Sequence, residues 1–106
     1  MATLSTHVLD TATGLPAAGL RVTLEAADGS VLAEALTDDD GRVATLAGDL
    51  ATEDHLIRFD TGTWFAAQGV AAFYPEVVVA FTVDKDEHFH VPLLLSPFGY
   101  STYRGS

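Results

Sequence analysis

The sequence predicts an all-β domain built as a two-layer sandwich. Short segments in which apolar and polar residues alternate recur along the chain, and turn-forming residues separate them. Alternation with a period of two places apolar side chains on one face of a strand and polar side chains on the other. About seven or eight such segments, with no long helical stretch, are typical of two sheets packed face to face. The 106 residues are enough for one domain, residues 1–106.

The first half of the chain is predicted to contain three strands and the beginning of a fourth. Residues 4–9 form the first strand, and residues 20–26 and 31–36 form a hairpin. Asp28 and Gly29 lie in its connection, where both central residues of a type I′ turn need a positive φ. The turn at residues 38–41 precedes a further strand, which is expected to be short.

The second half is predicted to contain the remaining strands and one short helix. Strands are expected at residues 55–60, 76–83, 88–95 and 100–103. Trp64, Phe65 and Gln68 recur at helical intervals, so residues 62–70 are predicted to be helical. Pro92 has no N–H for a sheet ladder, so it should face a gap in the pairing, at a bulge or an edge.

Composition excludes several classes of partner. The chain has 15 acidic and 5 basic residues, a formal charge of −10 and no cysteine. Nucleic acid and anionic membrane surfaces attract basic patches, which this chain lacks, and no apolar run approaches the roughly 20 residues that cross a bilayer. The amino-terminal residues do not have the layout of a signal peptide. We therefore expect a soluble, cytoplasmic protein that binds neither nucleic acid nor membrane.

The apolar content favours an oligomer. Hydrophobic residues make up 48% of the chain, and nine glycines add to them. Together they exceed the usual apolar-plus-glycine share of about 45 to 50%. A domain of this size has little interior for so many apolar side chains, so we expect an interface between copies to bury some of them.

Three histidines lie on polar faces of predicted strands. His7 alternates with apolar neighbours in the first strand, and His88 and His90 share one face of a late strand, about 7 Å apart. Imidazoles so arranged could transfer protons near neutral pH, or could bind a metal ion with His7 as the third ligand. They meet only if the two ends of the chain pack side by side.

The arginines and the last residues admit two interpretations each. Arg42 either neutralises the acidic run 38–40 or presents its planar fork to a carbonyl or carboxylate group. Arg104 has the same two interpretations, with a salt bridge as its ordinary role, and a tyrosine such as Tyr103 more often serves packing than catalysis. The final tetrapeptide, Tyr103 to Ser106, comes shortly after the strand-like apolar run 91–97, so we expect it to contribute polar groups to a site.

Three segments resemble a known family. They are Leu-Ser-Thr-His-Val-Leu-Asp at residues 4–10, Asp-Gly-Arg at 40–42, and His-Phe-His-Val-Pro-Leu-Leu-Leu-Ser-Pro at 88–97, running on to Tyr-Arg-Gly-Ser at 103–106. In order and content they are similar to the signatures of the 5-hydroxyisourate hydrolases, the transthyretin-related enzymes. Phe89 departs from the tyrosine that is usual in the family, and we expect this change to affect packing and not activity.

The resemblance implies a fold, a reaction and a set of site residues. The fold is a transthyretin-like (prealbumin-like) sandwich of two four-stranded sheets with one short helix, assembled as a homotetramer with active sites in a channel between dimers. The reaction is the hydrolysis of 5-hydroxyisourate, a small-molecule product of urate oxidation, to 2-oxo-4-hydroxy-4-carboxy-5-ureidoimidazoline in purine breakdown, with no metal or other cofactor. The resemblance assigns catalysis to His7, Arg42 and His90, and substrate binding to His7, Arg42, Tyr103, Arg104, Gly105 and Ser106.

Two questions stay open at the level of sequence. One is which histidine is the general base, and with it the role of His88. The other is whether the protein is instead a small-molecule carrier, because transthyretin has the same architecture and carries hormone in a similar channel. A carrier of apolar ligands has no use for histidines, an arginine and a basic terminal segment in its channel, so these residues favour the enzyme.

Overall fold

The computed structural model describes residues 2–106, and in them nine strands and one helix. The strands form two sheets that pack face to face. In chain order the elements are β1 (Ala2–Asp10), β2 (Leu15–Pro16), β3 (Arg21–Ala26), β4 (Val31–Leu36), β5 (Arg42–Leu50), β6 (Asp54–Phe59), α1 (Thr61–Ala66), β7 (Val77–Thr82), β8 (His88–Ser96) and β9 (Gly99–Thr102).

The first strand lies at the centre of the first sheet. On one side β1 pairs in parallel with β8 over residues 3–10, and β9 continues the sheet beyond β8. On its other side β1 pairs with β5 and, near its end, with the two-residue β2. The second sheet has the order β4-β3-β6-β7. The predicted sandwich of two four-stranded sheets is confirmed, with β2 as a short addition.

The core lies between the two sheets and follows the alternation of the strands. In β1, Leu4 and Val8 point inward and are fully buried, whereas Thr3 and His7 point outward and are only partly buried. In β8, Phe89, Val91 and Leu93 point inward. The side chains that fill the core most completely are Leu4, Val8, Leu20, Val22, Leu24, Ile57, Phe59, Val77, Val83 and Leu93. The outer face of the first sheet therefore carries Thr3, His7, His88 and His90.

The strand after the acidic turn is longer than expected. β5 spans nine residues, from Arg42 to Leu50, although only a short strand was predicted there. Its pairing with β1 shifts register between Leu4 and Thr6, and again between Ala2 and Thr3. Such bulges interrupt the period of two, so the buried positions no longer alternate and the strand is hard to detect in the sequence.

The first hairpin forms as predicted, but its turn is of another type. β3 and β4 pair antiparallel, and Gly29 has φ of 91°. Asp28 does not take a positive φ; its carboxylate instead accepts hydrogen bonds from the backbone N–H and the hydroxyl of Ser30. The predicted type I′ turn is therefore wrong, because an aspartate side chain that bonds two residues ahead stabilises a longer loop with a single left-handed glycine.

The predicted helix is present and shorter than expected. α1 covers Thr61–Ala66, where residues 62–70 were predicted to be helical. Gly69 has φ of 70° and its N–H bonds to the carbonyl of Ala66, so the chain turns out of the helix before Val70. In residues 2–106, no helix has the length and hydropathy to span a bilayer.

Pro92 faces a gap in the pairing, as predicted. β9 pairs with β8 as far as Thr102 opposite Leu93, and pairing resumes only at the isolated bridge between Gly105 and His90. Between them the carbonyl of Pro92 accepts a hydrogen bond from the hydroxyl of Thr102, at 2.7 Å. The missing N–H of Pro92 thus lies where no backbone partner is required.

Candidate active site

Polar side chains from three adjacent strands meet on the outer face of the first sheet. His7 of β1 lies opposite Arg42 of β5, and Ser5 of β1 lies opposite His90 of β8. Paired residues of neighbouring strands project from the same face, so these side chains share one surface. The two ends of the chain pack side by side, as the sequence analysis required.

A pocket of about 250 Å³ opens on this surface. It brings together Arg42, His90 and Ser106 from the predicted set, and His88, whose role was left open. His7 does not line it, but lies close enough for its charge to act on His90. The complete lining is Ser5, Thr6, Arg42, Ala44, His88, His90 and Ser106.

The three histidines are not arranged as a metal site. Across residues 2–106, no three or more histidine, cysteine or acidic side chains are grouped so that they could hold a metal ion. The alternative in which His7, His88 and His90 share a metal therefore has no geometric support in the structure.

His90 is a partly buried imidazole held by hydrogen bonds. Its Nδ1 lies 2.7 Å from the hydroxyl oxygen of Ser5. Burial lowers the pKa of His90 below the ordinary value of 6.5, and electrostatic interaction with Arg42, His7 and His88 lowers it further. The ring is thus neutral at neutral pH, with a lone pair that can accept a proton.

Arg42 is available to a ligand. Among the described residues its guanidinium forms no ion pair, and Asp38 uses its carboxylate to accept hydrogen bonds from the backbone N–H groups of Asp40 and Arg42. The acidic turn is therefore closed by the backbone, and within residues 2–106 no ion pair joins Arg42 to its carboxylates. Arg42 instead presents an exposed cation beside His90 in the pocket.

Residues of the terminal tetrapeptide lie at two different pockets. Gly105 donates its N–H to the carbonyl of His90 at 2.8 Å, and Ser106 lines the pocket. The side chain of Arg104 binds Glu87 and lies over the ring of Phe89, 4.8 Å from its centroid. Tyr103 is 58% exposed and, with Arg104, lines a second pocket near β7. Contact of Tyr103 and Arg104 with substrate stays a prediction.

Sequence reasoning assigned no role to Ser5 or Thr3. Both alternate with apolar residues as His7 does, but nothing in the sequence linked them to the late histidines. In the structure, Ser5 bonds to both His88 and His90, and Thr3 bonds to His88. The link depends on parallel pairing between β1 and β8, whose partners are 85 residues apart. The signal in the sequence was that both strands carry polar residues at alternate positions.

Comparisons with known proteins agree on one family. The model of the HIUase/Transthyretin family matches residues 4–105. A 5-hydroxyisourate hydrolase of Caulobacter vibrioides is 48% identical over the full length of both chains. The solved 5-hydroxyisourate hydrolase of Klebsiella pneumoniae is 42% identical, with a TM-score of 0.94 and complete coverage of both chains. Sea bream transthyretin, solved with thyroxine, is 28% identical with a TM-score of 0.88, covering 96% of this chain and 93% of that one.

Proposed function

Since the chain belongs to the HIUase/Transthyretin family, we propose that it hydrolyses 5-hydroxyisourate. The observation that carries the proposal is the neutral, partly buried His90 beside Arg42 and His7 on one face of the first sheet. This set supplies a proton acceptor and a fixed cation, the two groups that hydrolysis of a cyclic acyl-urea needs. The reaction belongs to urate degradation.

His90 acts as the general base in this proposal. Its Nε2 is the ring nitrogen not bonded to Ser5, so it can take a proton from a water molecule as the water oxygen attacks the acyl carbon of the ring. The bond from that carbon to the ring nitrogen then breaks, and the same proton passes to the departing nitrogen. The lowered pKa keeps His90 in the form that can begin this cycle at neutral pH.

Arg42 stabilises the charge that attack creates. Addition of water to the acyl carbon places a negative charge on its oxygen, and a guanidinium in the same pocket offers several N–H donors to that oxygen. His7, directly opposite Arg42 in the sheet, helps to orient the substrate. No step requires a metal ion or an organic cofactor.

The terminal segment completes the binding surface. Ser106 lies in the pocket and contributes polar atoms to substrate binding, while Gly105 lets the chain pass close to the His90 ring. Tyr103 and Arg104 border a neighbouring pocket that also includes His90. We propose that they contact the substrate from that side.

A homotetramer is proposed as the working form. A patch of aromatic side chains, Phe73, Tyr74, Phe98 and Tyr100, is exposed on the single chain. Exposed apolar surface of this kind is commonly buried between copies of a protein. Assembly would also let a neighbouring copy cover part of the site, which is open to solvent on the single chain. A cytoplasmic location stays a prediction.

The carrier alternative has weaker support. The match to a hydrolase covers both chains completely at 48% identity, whereas the identity to sea bream transthyretin is 28%. The polar lining of the pocket is also unsuited to an apolar ligand.

The proposal is tested by following the ultraviolet absorbance of 5-hydroxyisourate generated from urate with urate oxidase. We expect a catalytic amount of the protein to accelerate its decay, with a rate proportional to protein concentration. Decay at the spontaneous rate, together with saturable binding of an apolar ligand, would favour the carrier instead.

A further inference from the structure

A continuous chain of hydrogen bonds leads from His90 to the edge of the site. The Nδ1 of His90 lies 2.7 Å from Ser5 Oγ, and Ser5 Oγ lies 2.9 Å from Nε2 of His88. The other nitrogen of His88, Nδ1, lies 2.6 Å from the hydroxyl oxygen of Thr3. All three contacts have the length of good hydrogen bonds, and Ser5 is the link between the two rings.

The strand register holds this chain in place. In the parallel pairing of β1 with β8, Thr3 lies opposite His88 and Ser5 lies opposite His90. All four side chains project from the outer face, so each hydroxyl sits beside a ring of the neighbouring strand. Ser5 is also 91% buried, and its hydroxyl therefore depends on these two rings for its hydrogen bonds.

The hydroxyl of Ser5 has a single hydrogen, and this couples the tautomers of the two histidine rings. If Ser5 donates to Nδ1 of His90, that ring carries its proton on Nε2, and Ser5 must then accept from Nε2–H of His88. If Ser5 instead donates to Nε2 of His88, it accepts from Nδ1–H of His90, and both rings carry their proton on Nδ1. Neutral His88 and His90 therefore hold their protons on the same-named nitrogen in either arrangement.

We propose that Ser5, His88 and Thr3 form a relay that sets the tautomer of His90 and moves its charge to His88 during the reaction. His88 and Ser5 are thus positioning residues that act through His90, and this role rests on the proposed function. The arrangement with both protons on Nδ1 leaves Nε2 of His90 without a proton and free of the bond to Ser5, as a general base requires.

The proton transfers along the relay return every group to its starting protonation state after one turnover. When Nε2 of His90 takes a proton from the attacking water, its Nδ1 proton passes to Ser5, and the hydroxyl proton of Ser5 passes to Nε2 of His88. His88 then carries both ring protons and the positive charge, while His90 is neutral. When the departing nitrogen takes the proton from Nε2 of His90, the two transfers reverse and the starting state returns.

The surrounding charges favour His88 as the holder of the positive charge. His90 is partly buried and faces Arg42 of β5 and His7 of β1, both of which disfavour an imidazolium there. His88 is exposed to water, its Nδ1 bonds to Thr3, and the residue before it in the chain is Glu87, which is paired with Arg104. A charge on the exposed ring is better solvated, so moving it outward lowers the cost of protonating the base.

The tautomers can be read directly by nuclear magnetic resonance. Nitrogen-15 shifts of the histidine rings are measured on the free protein at about pH 8, above the usual histidine pKa of about 6.5. His88→Gln identifies the signals of His88. We expect His88 and His90 both to be protonated on Nδ1. Opposite tautomers, or protons on Nε2 of both rings, in the unmodified protein would overturn the proposal.

Substitution of Ser5 tests the relay in turnover. Ser5→Ala removes the hydroxyl and should lower kcat at least about tenfold, a part of what general acid–base catalysis contributes, with KM within about twofold. Ser5→Thr retains the hydroxyl and should keep kcat within about threefold of the unmodified enzyme. Ser101→Ala, an exposed serine of β9, is the matched control and should leave kcat unchanged.

The two readouts separate the relay from the proposed function. An inactive protein whose tautomers agree would contradict the hydrolase and leave the hydrogen-bond rule intact. An active protein in which Ser5→Ala leaves both kcat and the histidine tautomers unchanged would contradict the relay alone.

Discussion

The reactivity of His90 depends on what surrounds its ring. Burial and nearby positive charges lower its pKa, while the hydroxyl of Ser5 holds Nδ1 and leaves Nε2 to the pocket. Neither effect can be seen in the histidine strand alone, because the folded chain creates the burial, Arg42 lies in β5, and Ser5 lies in β1. The ring is a base because of residues far from it in the sequence.

The first prediction at this scale concerns Arg42. Arg42→Ala removes the cation that meets the developing oxyanion, so kcat/KM should fall about 10²- to 10³-fold, as when one such donor is lost. Arg21→Ala provides the matched control, because Arg21 is an exposed arginine of the second sheet paired with Glu34. Its kcat/KM should stay within about twofold, and an equal loss in the two variants would remove Arg42 from the mechanism.

The pH profile of kcat/KM gives a second prediction. The lone pair of His90 is lost when the ring is protonated, so activity should be constant at neutral pH and fall as the pH drops through its lowered pKa, below 6.5. Arg42 is one cause of the lowering, so Arg42→Ala should raise the pKa of His90 and move the acid limb to higher pH. An acid limb that stays in place or moves lower in that variant would show that His90 does not control it.

Gly105 allows a third prediction. A Cβ at Gly105 would collide with the ring of His90, whereas a Cβ at Gly99 would meet Ser96 Oγ at an ordinary contact of 3.6 Å. Gly105→Ala should therefore displace the ring and lower kcat at least about tenfold, while Gly99→Ala should retain activity. Steady-state kinetics on the two variants decides this, and full activity in Gly105→Ala would show that the close approach has no catalytic importance.

At the scale of elements, the site depends on which strands are neighbours. Alternation in the sequence was enough to predict that His7, His88 and His90 occupy polar faces, and both β1 and β8 are found as expected. It could not predict that these strands pair in parallel, because pairing is decided by packing of the whole core and not by local pattern. The bonds of Ser5 and Thr3 were missed for that reason.

The turn before β5 offers a prediction at this scale. Gly41 has φ of 74°, and a Cβ there would collide with the carbonyl oxygen of Val8 and lie 3.1 Å from Cβ of Pro16. Gly41→Ala should lower the free energy of unfolding by more than the cost of about 1 to 3 kcal/mol for a strained backbone alone. Gly29→Ala, with φ of 91° and open space around it, isolates that backbone cost. Urea unfolding that shows equal losses would mean that the crowding at Gly41 is relieved.

At the scale of the molecule, the polar site and the exposed aromatic side chains form separate surfaces. The outer face of the first sheet carries the histidines and Arg42, in a chain whose formal charge is −10. The aromatic patch of Phe73, Tyr74, Phe98 and Tyr100 lies elsewhere, with Tyr74 and Tyr100 in edge-to-face contact at 5.1 Å. The composition had predicted surplus apolar surface, but only the folded chain shows where it lies.

Assembly through the aromatic patch is the prediction at this scale. Light scattering after size exclusion should give four chain masses for the unmodified protein. Phe98→Ser should lower the mass, because Phe98 is 71% exposed on the single chain and its burial between copies would be lost. Val31→Ser, at a residue 60% exposed on the other sheet, is the control and should remain assembled. A fully active monomer would contradict the tetramer.

The most direct test of the central claim is the turnover of His90→Asn. Asparagine retains hydrogen-bonding capacity at this position but cannot accept a proton as imidazole does, so the variant should fold with a nearly unchanged melting temperature. We predict that its kcat for the ring opening of 5-hydroxyisourate falls about 10²- to 10⁴-fold, the usual contribution of a general base. A folded His90→Asn protein with unchanged kcat would contradict the assignment of His90 as the base and the mechanism built on it.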